Sequence, residues 1–196
     1  MKTLERPKTR RNTSFRNEKL WTAEECEALC EQGYIAERYE LIEGKIIEEM
    51  RTSSTHSLSL GLLQDAFVAR VGSSRVRVEG TIRLSEATGQ RNLLVPDIAI
   101  TKEERRAYKQ NPLPADLLLV AEVAESSLRR DLSVKARLYA EAGIPEYWVL
   151  DLKKRRLLVH RDPSPKGYQS VTEWGEGDSI SPLSLTNALI AISELL

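Results

Sequence analysis

The stretch from Leu117 to Asp151, LLLVAEVAESSLRRDLSVKARLYAEAGIPEYWVLD, constrains the fold more than any other part of the chain. It reads as strand, helix, strand. Its first run, Leu117 to Val123, is apolar except for Glu122, and a carboxylate in a buried strand is costly without a partner or a metal. The helix is expected to begin near Asp131 and to end at Gly143, which suits a left-handed cap, with Pro145 unable to continue the turn. Tyr147 to Leu150 is a second apolar strand. Strand, helix and strand in so short a span imply a right-handed crossover between parallel neighbours, in a sheet covered on both faces.

The flanking segments add further elements. Trp21 to Gln32 reads as a short amphipathic helix, with Thr22 as N-cap and Glu25 three residues on. Tyr39 to Met50 alternates around Glu43-Gly44, the pattern of a two-residue hairpin turn at a sheet edge. Ser54 to Val71 carries Leu58, Leu62, Leu63, Ala66 and Phe67 at helical spacing and stops at Gly72. Arg75 to Leu84 and Leu93 to Thr101 read as strands, the second interrupted by Pro96-Asp97. Proline cannot donate to a ladder, so Pro96 marks a start, an edge or a bulge and presents Asp97 just beyond it. Leu157 to His160, Gln169 to Thr172 and Leu183 to Leu196 add two strands and a terminal apolar segment.

At 196 residues the chain fits one domain, expected over 21–196. Basic and acidic residues balance at 29 each, which excludes a polycation built to coat nucleic acid. The balance is uneven, however. Met1 to Lys19 holds seven Lys or Arg against two Glu, so residues 1–20 are expected to form a solvated, disordered basic tail, with phosphate binding as the second reading. Cys26 and Cys30 are too few and wrongly spaced for a zinc site or a disulfide framework and read as reduced thiols. No apolar run approaches the ~20 residues that span a bilayer, and the N-terminus lacks the apolar core of a signal peptide. The expected location is cytoplasmic, with no membrane partner.

The chain has no Gly-rich phosphate loop, dinucleotide-binding glycine set, HExxH, GxSxG or paired CxxC. With His56 and His160 its only histidines, a multi-histidine metal cage is excluded. Carboxylates and one lysine remain. Asp97 follows a proline on one strand and Glu122 lies in the next, which lets adjacent strands aim two carboxylates at one point. Two hard oxygen ligands and an open face suit Mg²⁺ or Mn²⁺. Lys135, 13 residues after Glu122 and in the early turns of the crossover helix, can reach the same point. Asp, Glu and Lys around a divalent ion make a site for phosphodiester hydrolysis.

Glu40 in YELIEG, His56, Pro96-Asp97, Glu122-Val123, the run from Asp131 through Lys135 to Tyr139, and GIPEYWVLD together resemble the Uma-two family of PD-(D/E)xK restriction-endonuclease-like nucleases. The resemblance runs from about Arg38 to Leu185. It implies an α/β (α+β) fold: a restriction-endonuclease-like mixed sheet flanked by helices, with an α-β-β-β-α-β core, an N-terminal hairpin and a C-terminal strand extension. It also implies a metal-dependent endonuclease acting on DNA, with a second copy of the chain as a candidate partner and no organic cofactor. The implied catalytic set is Asp97, Glu122, Lys135 and Glu40. Asp97, Glu122 and the Val123 carbonyl would hold Mg²⁺ or Mn²⁺, with His56, Asp131 and Tyr139 auxiliary. Ala124 stands where the superfamily's lysine is expected, and Lys135 is taken as the migrated lysine.

Plainer readings stand beside these. Asp131 and Lys135 could be an ordinary (i, i+4) helix pair. Asp97 could be a turn residue, and Glu122 could be held by Arg83, Arg129 or Arg137. His56 reads as a hydrogen-bonding group at a helix N-terminus, His160 as an ordinary surface residue, and Tyr139 and Trp148 as core. The alternative function is a nuclease-like fold that has lost turnover and serves as a binding or structural module.

Overall fold

The computed structural model describes residues 18–48, 53–85, 87 and 90–196. Residues 1–17 lie outside them, and with them nearly all of the basic tail. Nine-residue α1 (Ala23–Glu31) opens on Thr22, whose side chain accepts from the Glu25 N–H while the Glu25 side chain accepts from the Thr22 N–H. This reciprocal cap is the one that the sequence predicts. The hairpin β1 (Tyr39–Ile42) and β2 (Lys45–Glu48) turns on Glu43 and Gly44, both at positive φ, with Ile42 opposite Lys45. Two successive positive-φ residues are what a twisted two-residue turn needs.

Helix α2 (Ser54–Val71) is capped by Ser53 and ends at Gly72, where φ is +79°. Its buried face is Ser59, Leu60, Leu63, Ala66 and Phe67. Leu58 is 62% exposed, a correction to the expected face, because the sheet meets the helix about one position further round.

Each of the two long strands read from the sequence is split between two sheets. Arg75 to Leu84 becomes β3 (Val76–Val78) and β4 (Ile82–Arg83); Leu93 to Thr101 becomes β5 (Leu93–Leu94) and β6 (Ile98–Thr101). The breaks fall at Gly80 and at Val95-Pro96-Asp97, where ladder donors are lost or the chain bends. One sheet has the order β2-β1-β5-β4. The main sheet has the order β10-β9-β8-β7-β6-β3, with β7 (Leu117–Ala124), β8 (Glu146–Asp151), β9 (Arg156–Ser164) and β10 (Gly167–Gly175). Only β7 and β8 are parallel; the other pairs are antiparallel. The chain closes on a small pair, β11 (Ser179–Ile180) and β12 (Ile190–Ala191). The core order is thus α2-β3-β6-β7-α3-β8, the expected α-β-β-β-α-β, with the hairpin before it and the strand extension after.

The crossover helix α3 (residues 128–141) starts earlier than expected. One α-helical turn, Leu128–Arg130, leads into a π-helical segment, Asp131–Lys135, and then into Ala136–Glu141. Both faces of the main sheet are covered. Leu60, Leu63 and Phe67 of α2 pack with Leu119, Ala121, Val123 and Trp148 on one side. Ala136, Leu138 and Tyr139 of α3 pack with Val120, Tyr147 and Val149 on the other. Cys26 and Cys30 are free thiols, and burial pushes the Cys26 pKa up to about 11. No helix among the described residues is long and apolar enough to cross a membrane.

Candidate active site

The site forms where β6 begins, β7 ends and α3 starts. Glu122 is 4% exposed, and its Oε1 accepts from Lys135 Nζ at 2.8 Å and from the Tyr139 hydroxyl at 2.9 Å. None of the three arginines considered for Glu122 is its partner: Arg83 lies 3.6 Å from Glu27, Arg137 binds Glu43 and Glu141, and Arg129 is exposed. Lys135 Nζ also lies 2.9 Å from Glu40 Oε1, which accepts from the Val95 N–H at 3.0 Å. Glu40, on the hairpin, therefore ties the small sheet to the crossover helix through one buried ammonium. Lys135 makes no ion pair with Asp131 among the described residues, so the ordinary helix pair does not form.

Asp97 sits just past the Pro96 break. Its Oδ2 accepts from the Val123 N–H at 2.6 Å and lies 3.4 Å from His56 Nε2. The break that removes Val95 to Asp97 from the ladder turns the Asp97 carboxylate across the end of β7. The His56 imidazole faces this carboxylate rather than the helix end, where the Ser53 hydroxyl already accepts from the His56 N–H. Glu40, His56, Asp97, Glu122, Val123, Asp131 and Lys135 line one open cleft of ≈ 390 Å³. Tyr139 lies beneath it, fully buried, as expected for a core aromatic.

Burial holds the Glu122 carboxyl well above the usual carboxylate range; Lys135 opposes the shift, while Asp97, Asp131 and Glu40 add to it. Burial pushes Lys135 down, but Glu122, Glu40 and Asp131 outweigh it and the ammonium is held above its ordinary value. Lys135 therefore stays cationic, and the surplus negative charge raises Glu122. Asp97 holds the His56 imidazole up against the pull of burial. Burial also raises Asp131, which is 1% exposed, with Lys135 opposing. Ser127 makes at most a loose hydrogen bond to the Asp131 carboxylate, enough to favour its charged form, and neither oxygen has a well-formed one.

This donor set suits a hard divalent cation. Among the described residues, every hydrogen bond to Glu122 reaches Oε1 and both groups against Asp97 meet Oδ2, so each carboxylate keeps one oxygen for a ligand. Glu40 and Glu122 pair with the Lys135 ammonium and Asp131 lies near enough to act on it. No three His, Cys, Asp or Glu side chains among the described residues could cage an ion by themselves. An ion here would rest on two carboxylates and complete its shell with water and phosphate oxygens, as Mg²⁺ and Mn²⁺ do.

Two residues escaped the reading of the sequence. Arg130 lines the cleft with a buried, unpartnered Nε, and only its place beside Asp131 could have drawn attention to it. His160, read as a surface residue, is 5% exposed because Tyr147 and Tyr168 pack against its ring.

A family model, Uma2, described as "Putative restriction endonuclease", matches residues 23–193. No curated protein matches the chain. A crystal structure of a "putative nuclease belonging to DUF820" from Anabaena variabilis is similar at a TM-score of 0.64 and 17% identity, covering 85% of this chain and 96% of that one. At that identity the likeness speaks for the fold alone.

Proposed function

Since the chain belongs to the Uma2 family of restriction-endonuclease-like proteins, we propose that it is a divalent-metal-dependent endonuclease that hydrolyses DNA phosphodiester bonds. The observation that supports this most is the convergence at the cleft of Lys135 from α3, Glu122 from β7 and Asp97 from the break before β6. Three elements are brought to one open point by a strand break and a crossover, at the cost of burying an excess of negative charge. A purely structural ion pair needs no cleft.

Asp97, Glu122 and the Val123 carbonyl are the groups that would hold the ion. A divalent ion there supplies a water of lowered pKa and neutralises charge on the phosphate. Lys135 has the electrostatic role: its ammonium, kept positive by Glu40 and Glu122, faces the extra negative charge that builds on the non-bridging oxygens as water adds to phosphorus. Tyr139 donates to Glu122 Oε1 and fixes that carboxylate's orientation. Glu40 holds Lys135 in place from the far side. His56 stands against Asp97 Oδ2 and orients it. As water forms its bond to phosphorus it gives up a proton to solvent, and the bond from phosphorus to a sugar oxygen breaks, that oxygen leaving as a hydroxyl with a proton taken from solvent.

The test is nicking or cutting of plasmid and linear DNA with Mg²⁺ or Mn²⁺, against EDTA. Wild type is expected to cut with either ion and not without, and Asp97→Ala to lose Mn²⁺ binding and cutting together. If wild type binds DNA and metal but never cuts, the fold serves as a binding module instead.

A further inference from the structure

Partly buried arginines in this molecule commonly meet a carboxylate. Arg70 lies 3.4 Å from Glu194, Arg156 lies 3.1 Å from Asp151, and Arg161 lies 2.7 Å from Glu146. Three arginines around β3, the edge strand of the main sheet, break that pattern. Arg105 Nη2 donates to the Ser73 and Val76 carbonyls at 2.7 and 3.1 Å, and Arg75 Nε donates to the Thr101 carbonyl at 3.0 Å. Arg77 has a buried Nε with no acceptor. Backbone carbonyls orient a guanidinium without cancelling its charge, and among the described residues no carboxylate pairs with any of the three.

The fold holds this cluster in place. Val76 and Val78 pack into the core on the α2 side, so strand alternation turns Arg77 to the other face. There its guanidinium lies against Gly80, where a Cβ would stand 3.2 Å from Nε and 3.4 Å from Nη2. Arg105 is anchored on the carbonyl of the residue before Arg77. Burial, together with the Arg105 charge, holds the Arg77 guanidinium below its ordinary pKa. It stays protonated all the same, because an arginine begins far above neutral pH. Glu79, next on the same face, pairs with Arg38 at 2.7 Å. Glu103 and Glu104 flank Arg105 in sequence and are exposed. Two like charges held together, one of them partly desolvated, are short of an anion.

We infer that Arg77 and Arg105 form a phosphate site separate from the candidate active site, and that its occupant is a backbone phosphate of the DNA strand that crosses the cleft. The planar fork of each guanidinium matches phosphate oxygens. Its position suits the same strand. β3 runs antiparallel to β6 with Arg77 opposite Ala99, and the Glu79 N–H bonds to the Asp97 carbonyl at 3.0 Å. Arg77 therefore stands two residues along the sheet from Asp97, roughly 7 Å, and Glu79, at the Asp97 end, lines the cleft. The DNA occupant rests on the endonuclease reading; the phosphate rests on the arginines themselves. A chain with balanced net charge offers DNA no general attraction, so fixed cations beside an acidic cleft are what would hold the backbone next to the reacting phosphate.

Thermal melts and DNA binding by the full chain test it. In EDTA, which keeps divalent ions out of the cleft, inorganic phosphate at the same ionic strength as chloride should raise the wild-type Tm, and Arg77→Met should abolish that rise. In chloride alone Arg77→Met should melt at or above wild type, because an unbalanced charge is gone. A fluorescein-labelled duplex, titrated in Ca²⁺ and in EDTA, should bind Arg77→Met roughly 5- to 10-fold more weakly than wild type at about 0.1 M salt, with the slope of log affinity against log salt reduced by about 1. Lys166→Gln, in the exposed turn between β9 and β10 at the opposite side of the main sheet, should change neither readout. No phosphate rise in wild type, or an equal rise in Arg77→Met, would overturn the site. An Arg77→Met that melts well below wild type in chloride would also overturn it, since the charge would then be compensated already, and so would an equal loss of duplex affinity in Lys166→Gln. A phosphate rise that depends on Arg77, beside unchanged duplex binding, would overturn the DNA assignment and leave a site for free phosphate. Wild type that binds no duplex at all would remove the endonuclease reading instead, with the Arg77-dependent phosphate rise still standing.

Discussion

Adjacent parallel strands carry two buried glutamates that are treated in opposite ways. Glu146, at the start of β8, is fully buried. Its Oε1 accepts from Trp148 Nε1 at 2.9 Å and from Arg161 Nε and Nη2 at 2.9 and 2.7 Å, and its Oε2 accepts from the Leu183 N–H at 2.7 Å. Four N–H donors from three residues meet one carboxylate, and Arg161, which supplies two of them, brings a matching charge. Glu122, toward the end of β7, shares a single lysine with Glu40 and has Asp97 and Asp131 as further negative neighbours. A carboxylate with every lone pair answered holds a fold together. One left short of positive charge beside a cleft costs the protein stability, and on the reading proposed above it is held for a ligand.

The largest effect should therefore come from the satisfied site. Glu146→Ala strands the Arg161 guanidinium, the Trp148 N–H and the Leu183 N–H, and should cost about 3–5 kcal/mol in urea unfolding, with far less effect on Mn²⁺ affinity in whatever fraction stays folded. A loss below about 1 kcal/mol would show that the contrast is not real. Next comes the cleft. Lys135→Ala should bind Mn²⁺ yet cut DNA roughly 10²–10³ times more slowly, if the ammonium supplies one electrostatic contact in the transition state. Cutting at the wild-type rate by Lys135→Ala, with Asp97→Ala inactive, would take the lysine out of catalysis and return it to a holding role.

The local elements were largely legible because their signals are local. Thr22 with Glu25, Ser53 before Ser54, Gly72 and Glu43-Gly44 each fix a cap or turn by their own chemistry. Glu122 stood out because a lone carboxylate interrupts an apolar run, and Asp97 because a proline precedes it. The partition of two strands between two sheets was not legible. Leu93-Leu94 and Ile98 to Thr101 are equally apolar, and which sheet each joins depends on partners far along the chain: Leu41 for Leu93, Val76 and Leu119 for Ile100. The π-helical turn was hidden for the same reason, since DLSVK has no residue that forbids an ordinary α-helix. Glu146 was passed over at the edge of its strand, although Arg161, its cross-strand partner, carries the complementary charge.

A smaller effect sharpens the contrast from the other side. Glu122→Gln removes a charge that burial already disfavours, while Lys135 keeps Glu40 as a partner. The metal-free protein should change in stability by no more than about 1 kcal/mol, in either direction, and should lose Mn²⁺ affinity. A drop as large as that of Glu146→Ala would mean that Glu122 too is mainly structural.

The smallest effect concerns a bare polar atom that does not border the cleft. His160 Nδ1 has no partner, and the ring is packed 5.3 Å from Tyr147 and 5.8 Å from Tyr168, centroid to centroid. Burial pushes its pKa down, against the opposing pull of the Tyr147 and Leu158 backbone. Because the unfolded chain takes up the proton first, at its ordinary pKa of about 6.5, the contribution of a neutral His160 to stability is whole above that pH. It is lost as pH falls from there through the depressed folded value, below which the loss is complete. His160→Phe keeps the ring stack and removes the proton site. Urea unfolding of both proteins at pH 7.5 and pH 5 should give nearly equal stabilities at the higher pH and a smaller acid loss in the variant. Equal losses would take His160 out of the acid sensitivity; the cleft cannot supply it, because His56, Glu122 and Asp131 are all raised by folding and gain stability as pH falls. A smaller loss in the variant would assign that share of the acid sensitivity to the one buried imidazole packed between Tyr147 and Tyr168.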